Sequence, residues 1–324
     1  MRHTNCLIAA GLSLLVACGG SGGGGNTTVS PDASLVIDSN NAMLVAKVSY
    51  ESALASGGLG SLSGNGLFVG SAPGGISKLD NGIATAAKSG VGQAQIPIPA
   101  ETTPCAVSGA TTVSGEIADP ITPTLSAGDF FEIDYDRCDD GLGDVTDGLM
   151  RLDIDSFSGD FLSELFEMTV TLTLNTFQVI TGQDVLTSHG DATVSLNTLN
   201  SPAVSTSLNG NSMRIDANAT SELLTNYMSA ITVDGGLFPS PYTSSASGTL
   251  DSTQLAGIIR YSTPVIFSGF NSDYPSSGEF LVTGAGSSLR LIAIDNVNVT
   301  IELDTNGDGT VDETLQTTWV ELGV

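Results

Sequence analysis

Basic side chains are scarce in this chain. Nine Lys and Arg stand against 35 Asp and Glu in 324 residues, a formal net charge of −26 at pH 7. A surface of that sign repels phosphate backbones and anionic lipid, which excludes a nucleic-acid binder. Histidine is nearly missing as well, with only His3 and His189. A Ser/His/Asp triad would need His189 as its base. Residues 35–324 contain no G-x-S-x-G elbow to present a nucleophile to it. A lone His beside Gly190 and Asp191 reads instead as a turn residue. One His and no free thiol argue equally against zinc. With one tryptophan, Trp319, the chain is poor in the aromatic platforms that sugar-cleaving sites use. Among the paired carboxylates, Asp160, Glu164 and Glu167 are interleaved with Phe157, Phe161, Leu165 and Phe166, which read as a short amphipathic turn packing a core. These absences together point away from an enzyme.

Long hydrophobic runs are also lacking. The stretch from Leu7 to Ala17 is too short to cross a bilayer, which takes about 20 apolar residues. It follows Met1-Arg2-His3 and ends in a small residue, the pattern of a secretory signal. Leu15-Val16-Ala17-Cys18 resembles the lipobox of bacterial lipoprotein signals. The resemblance implies that residues 1–17 are cleaved and that Cys18 is diacylated on sulfur and acylated again on its new amine. Gly19, unlike an aspartate, does not resemble an inner-membrane retention signal, so the implied destination is the outer membrane, on its periplasmic face or at the cell surface. Residues 19–28, Gly-rich and without apolar content, read as a flexible tether between lipid and domain. With two or more acyl chains attachment is stable, each buried methylene adding about 0.8 kcal/mol.

Of four cysteines, Cys6 leaves with the signal and Cys18 carries lipid, so Cys105 and Cys138 remain. Two thiols in an oxidising compartment read as one disulfide. Closing a loop of about 33 residues stabilises by roughly 3–4 kcal/mol on the chain-entropy view.

The expected organisation is a signal over 1–17, a lipidated tether over 18–34, a helix plus a Gly/Ser/Pro-rich segment over 35–104, and a β domain over 105–324. The helix is expected over 40–56, capped by Asn40 or Asn41 and stopped by Gly57-Gly58. Ile96-Pro97-Ile98-Pro99 reads as a rigid end to the loop that follows. Beyond Cys105 the hydrophobic period becomes two. Phe131, Ile133 and Tyr135 alternate with acids; Met150, Leu152 and Ile154, then Val170, Leu172 and Leu174, and finally Val297, Val299, Ile301 and Leu303 repeat the pattern. Turn signals fall at Asp139-Asp140-Gly141, Asn209-Gly210-Asn211, Asp234-Gly235-Gly236 and Gly284-Ala285-Gly286. The expectation is a mainly β fold: an antiparallel meander of about ten strands forming a half-closed barrel or sandwich, with one short N-terminal helix plugging it.

Over most of the mature chain, the Cys105/Cys138 pair, Tyr274-Pro275-Ser276-Ser277-Gly278-Glu279 and the Asp304-to-Gly309 hairpin before Trp319 resemble a group of β-rich envelope lipoproteins of Gram-negative bacteria. That resemblance brings no activity with it. By analogy, envelope half-barrels that carry lipids or lipoproteins have a comparable set of elements.

The sharpest motif is Asp304-Thr305-Asn306-Gly307-Asp308-Gly309-Thr310-Val311-Asp312-Glu313, which resembles the first nine positions of an EF-hand calcium loop. Asp304, Asn306 and Asp308 supply oxygens at positions 1, 3 and 5, Gly309 the sharp turn, Thr310 a backbone carbonyl, and Asp312 a further carboxylate. Two departures stand out: Leu315 takes the place of the bidentate glutamate, with Asp312 or Glu313 as substitutes, and the flanks read as strands. The competing reading is an acidic, soluble hairpin tip. A second acidic tip, Asp136 to Asp147, lacks regular ligand spacing and reads as a solvated hairpin pinned by the disulfide. Function is therefore expected to be non-enzymatic: a membrane-anchored module that binds a hydrophobic ligand or an envelope partner, or else a calcium-stabilised surface or adhesion module.

Overall fold

The computed structural model describes residues 35–61, 96–118, 125–141, 143–160, 165–236, 239–270 and 273–324. The signal, Cys18, the tether and the Gly/Ser/Pro-rich stretch 62–95 lie outside these residues. The chain is mostly β: one antiparallel meander sheet of fourteen strands, not closed into a barrel. Its strands are β1 (Ile96–Pro104), β2 (Ser108–Ile117), β3 (Phe130–Asp139), β4 (Asp144–Asp160), β5 (Leu165–Thr181), β6 (Asp184–Asn197) and β7 (Ala203–Ala217). They continue as β8 (Thr220–Asp234), β9 (Pro241–Ser252), β10 (Gly257–Phe270), β11 (Ser277–Gly284), β12 (Ser287–Ala293), β13 (Asn298–Asp304) and β14 (Glu313–Thr318). Every strand pairs with its neighbours in sequence, so β1 and β14 are the edges.

Alternation drives this sheet as the sequence implies. Met150, Leu152 and Ile154 on β4, Val170, Leu172 and Leu174 on β5, and Val299, Ile301 and Leu303 on β13 are all buried. On the opposite face, the few cations are used across strands. Arg151 meets Glu132 at 3.1 Å and Asp153, and its guanidinium lies 4.0 Å from the centre of the Phe130 ring; Arg290 bridges Glu302 and Glu279.

Strict alternation fails along a row of bulges. The register slips between Tyr135 and Cys138, Asp147 and Leu149, Leu174 and Phe177, Asp191 and Thr193, and Thr225 and Met228. Tyr135 pairs with Gly148, Leu174 with Gly190, and Gly190 with Met213, so the slips lie side by side across β3 to β7. Arg137, Thr176 and Asn226 have positive φ in this row, as does Gly148 (φ 100°). A Cβ on Gly148 would stand 2.3 Å from the Thr176 carbonyl oxygen, so this position requires glycine. Each slip moves the buried parity by one: β5 buries Phe166 through Leu174 at even positions, then Phe177. The apolar set thus stays on one face while the sheet twists more sharply.

Helix α1 (Ala42–Ser61) lies on that face, against β7, β8, β9, β11 and β12. The preceding segment is pinned to the sheet: Leu35 N–H donates to the Ile258 carbonyl at 3.1 Å, and Ile37 N–H to Ser287 Oγ at 2.8 Å. Asp38, not Asn40 or Asn41, receives the first free amides, taking the N–H of Asn40 and Asn41 on its carboxylate. The helix also runs through Gly57-Gly58 to Ser61, since glycine costs only about 1 kcal/mol per helical position and does not forbid one. A terminal turn, α2 (Trp319–Leu322), is closed by a capping box between Thr318 and Glu321. Trp319 is fully buried, its ring 5.8 Å from Tyr274 and 5.1 Å from Tyr50.

About ten expected strands become fourteen, and four further expectations change. Ile96–Pro104 is the first strand of the sheet, so the β unit begins before Cys105; its prolines suit an edge, where an amide can be spared. Asn209-Gly210-Asn211 lies inside β7, where Gly210 faces Tyr227. Val297 is 53% exposed and precedes β13, because Asp295 takes the amides of Val297 and Asn298 in a tight turn. His189 sits within β6 beside the bulge row, accepting a bond from the Thr176 amide at 3.4 Å.

Candidate functional site

Four places hold chemistry. The first is the Asp304–Asp312 loop between β13 and β14. Asp304 accepts the amides of Asn306, Gly307 and Gly309, at 2.7 Å for Gly307 and 2.8 Å for Gly309, whose φ is 84°. Asp312 accepts the Thr305 amide at 2.8 Å and its hydroxyl at 2.7 Å, and Asn306 Oδ1 accepts the Asp308 amide. The Thr310 hydroxyl and amide hold the Asp308 carboxyl below its ordinary range. The five predicted ligands Asp304, Asn306, Asp308, Thr310 and Asp312 thus share one loop folded around its own amides. Among the described residues the carboxylates Asp304, Asp308 and Asp312 do not converge within 4.8 Å of one another.

The second is the disulfide tip. Cys105 and Cys138 are bonded, with Cα atoms 5.5 Å apart, and Thr111 Oγ1 lies 3.4 Å from each sulfur. The bond ties the end of β1 to β3 across β2. Asp140 lies close to both sulfurs, but they are spent on each other and form no metal site. The β3–β4 acidic tip is folded on itself, Asp139 accepting the Gly141 amide and Asp147 the Arg137 amide. Asp160 and Glu167 fall on the paired strands β4 and β5, where Phe157 stacks on Phe166 at 5.8 Å; Phe161 and Glu164 lie outside the described residues.

The third is a polar cluster partly buried under α1, which no hydrophobic period announces. Ser52 Oγ donates to Glu222 Oε2 on β8 at 2.7 Å, and burial pushes the Glu222 carboxyl up. Glu51 is pushed up to about 7 by burial, opposed by Lys47 and reinforced by Glu222. Tyr227 lies over Gly210 and donates to the Asp191 carbonyl at 3.1 Å. Tyr261 lies over Gly248, and its hydroxyl is buried without a partner among the described residues. Aromatic rings here fill the space that glycines on adjacent strands leave open. An unpartnered buried hydroxyl costs about 1–3 kcal/mol.

The fourth is an open groove of about 340 Å³ at the ends of β8, β9 and β10. Pro241, Tyr242 and Phe270 give it apolar walls, and Thr232, Asp234, Thr243, Ser268 and Ser276 line it with polar groups. The Tyr242 ring crosses its strand partner Gly269, where a Cβ would stand 3.1 Å away, and burial with Asp273 pushes its hydroxyl up to about 12. Phe270 is 46% exposed.

No family model matches this chain, and neither does any curated protein or solved structure. Among the described residues no helix is long and apolar enough to cross a membrane.

Proposed function

We propose that this chain is a non-enzymatic lipoprotein, anchored in the outer membrane through Cys18, that binds a hydrophobic ligand or an apolar segment of an envelope partner. The observation that carries the binding half is the groove at Tyr242 and Phe270. Its volume falls at the low end of the range of small-molecule sites, and Pro241, Tyr242 and Phe270 give it apolar walls beside the polar groups of Thr232, Asp234, Thr243, Ser268 and Ser276. The apolar face over β7–β9 is already occupied by α1, so the groove is the better site. Lipidation at Cys18 rests on the lipobox alone. Saturable binding of the neutral probe N-phenyl-1-naphthylamine tests the groove: Tyr242→Ala should weaken it about tenfold, the loss of one aromatic anchor. Binding that is absent, or unchanged in that variant, overturns the site. Incorporation of labelled palmitate that persists in Cys18→Ser removes the anchor.

A second reading has its own observation. Asp304 draws in the Gly307 and Gly309 amides as a tight acidic loop requires, which suits a calcium-stabilised module. On that reading Asp304, Asn306, Asp308, Thr310 and Asp312 hold the ion, after the carboxylates close by a small rearrangement. Calcium should then raise Tm relative to chelator in wild type and not in Asp308→Ala; equal melting in both media ends this reading.

A further inference from the structure

The acids under α1 have no part in the proposed groove, and they sit where helix and sheet meet. We propose that the later turns of α1 form a proton-controlled plug, seated on β8 and β9 when Glu51 and Glu222 are protonated and loosened when both ionise. The start of the helix is fixed by other means. Leu35 and Ile37 are bonded to the sheet, Gly284 lies so close to the Leu35 carbonyl that no side chain fits between them, and Gly257 packs tightly against Leu35. Farther along, Ser52 Oγ donates to Glu222 Oε2, a polar bridge from the helix body to β8. Glu51 is the adjacent residue, and its nearest cation, Lys47, makes no ion pair with it within 4.0 Å among the described residues.

The surroundings offer little to neutralise two carboxylates. From α1 only Lys47 opposes them, and Tyr50 is buried in the aromatic cluster. β8 adds Tyr227 and β10 adds Tyr261, both held neutral by burial. The inward residues of β7 are Met213 and Ile215, and those of β9 are Leu250 and Ser252, none charged. Asp216 is taken by Arg214 on the opposite face, and Asp251 alternates away from Leu250 and Ser252. β11 and β12 present Phe280, Val282, Leu289 and Leu291, and Glu321 of α2 is used by Thr318. Ionising Glu51 and Glu222 together therefore places two like charges at a poorly solvated interface.

The sign follows from the direction of both shifts. An acid whose pKa is raised on docking supports the docked state fully below the ordinary carboxyl range, and that support fades as pH rises towards about 7. Loosening exposes Ile215, Leu224 and Tyr227, together with the hydroxyl of Tyr261 that lacks a partner in the seated form.

Hydrogen exchange of the full chain between pH 5 and pH 8, corrected for the intrinsic pH dependence of exchange, tests this. Protection of the amides from Val45 to Ala53 should fall about tenfold more than that of β4 and β5, which lie outside the strands α1 packs on. Glu222→Gln keeps the acceptor for Ser52 and should flatten the difference, and Glu51→Gln should flatten it further. Parallel loss in α1 and β4–β5 in the wild type, which requires no variant to fold, overturns the proposal. So does an unchanged slope in both variants.

Discussion

Tyr227 and Tyr261 are two hydroxyls in one neighbourhood with opposite fates. Tyr227 reaches the Asp191 carbonyl, while Tyr261 is as deeply buried and reaches nothing. Removing a satisfied hydroxyl loses a bond, and removing an orphan one recovers its desolvation cost. Tyr227→Phe should therefore lower unfolding free energy by about 1 kcal/mol and Tyr261→Phe should raise it by about the same. Urea unfolding of the two variants checks both signs. The glycines beneath them account for what a pattern search could not see. On β7 and β9 the inward positions near Gly210 and Gly248 hold no large side chain of their own, because the neighbouring tyrosines fill that space. Read alone, Asn209-Gly210-Asn211 has the composition of a turn, and only the facing ring makes it strand. The calcium-type loop is the reverse case, since its residues and their spacing were plain in the sequence. What they do not reveal is that each acid is first engaged by a backbone amide.

Elements were legible wherever one residue in two was apolar without interruption. β4, β5 and β13 keep that rhythm at Met150, Leu152 and Ile154, at Val170, Leu172 and Leu174, and at Val299, Ile301 and Leu303, and bury those residues, while Val297 stays exposed. β1 did not, because Pro97 and Pro99 read as a break although an edge strand tolerates them. β3 departs halfway, its buried set moving from Phe131 and Ile133 to Cys138 across a bulge, so Tyr135 is only partly covered. That last parity change brings Cys138 to Cys105. Because the bond fastens the edge strand to the third strand, its effect should be both global and local. Replacing both cysteines with alanine should cost about 3 kcal/mol of stability. Exchange should rise most in β1 and β2, followed by amide exchange under native conditions; uniform loss across all fourteen strands would contradict the tie.

At the scale of the molecule an open sheet carries a liability that a barrel does not, since two edges can recruit further strands. One edge carries Pro97, Pro99 and Pro104; the other, β14, is six residues long and followed at once by α2. The −26 charge adds repulsion between copies. Pro97→Thr with Pro99→Thr should restore donors to the first edge and produce concentration-dependent association, seen by light scattering and strengthened by salt. An unchanged monomer mass would show that charge alone keeps the edges apart. The strictly sequential pairing has a further consequence, for the order of assembly. Each strand finds its partner one turn away along the chain, so the sheet can grow hairpin by hairpin at low loop-closure cost, and such local contacts favour fast folding. Helix α1 is the exception: it precedes all fourteen strands yet rests on β7, β8, β9, β11 and β12, so it has no place to dock until those strands exist. The first described segment is thus the last to settle, and its docking is the step that joins it to the C-terminal turn in one folding unit.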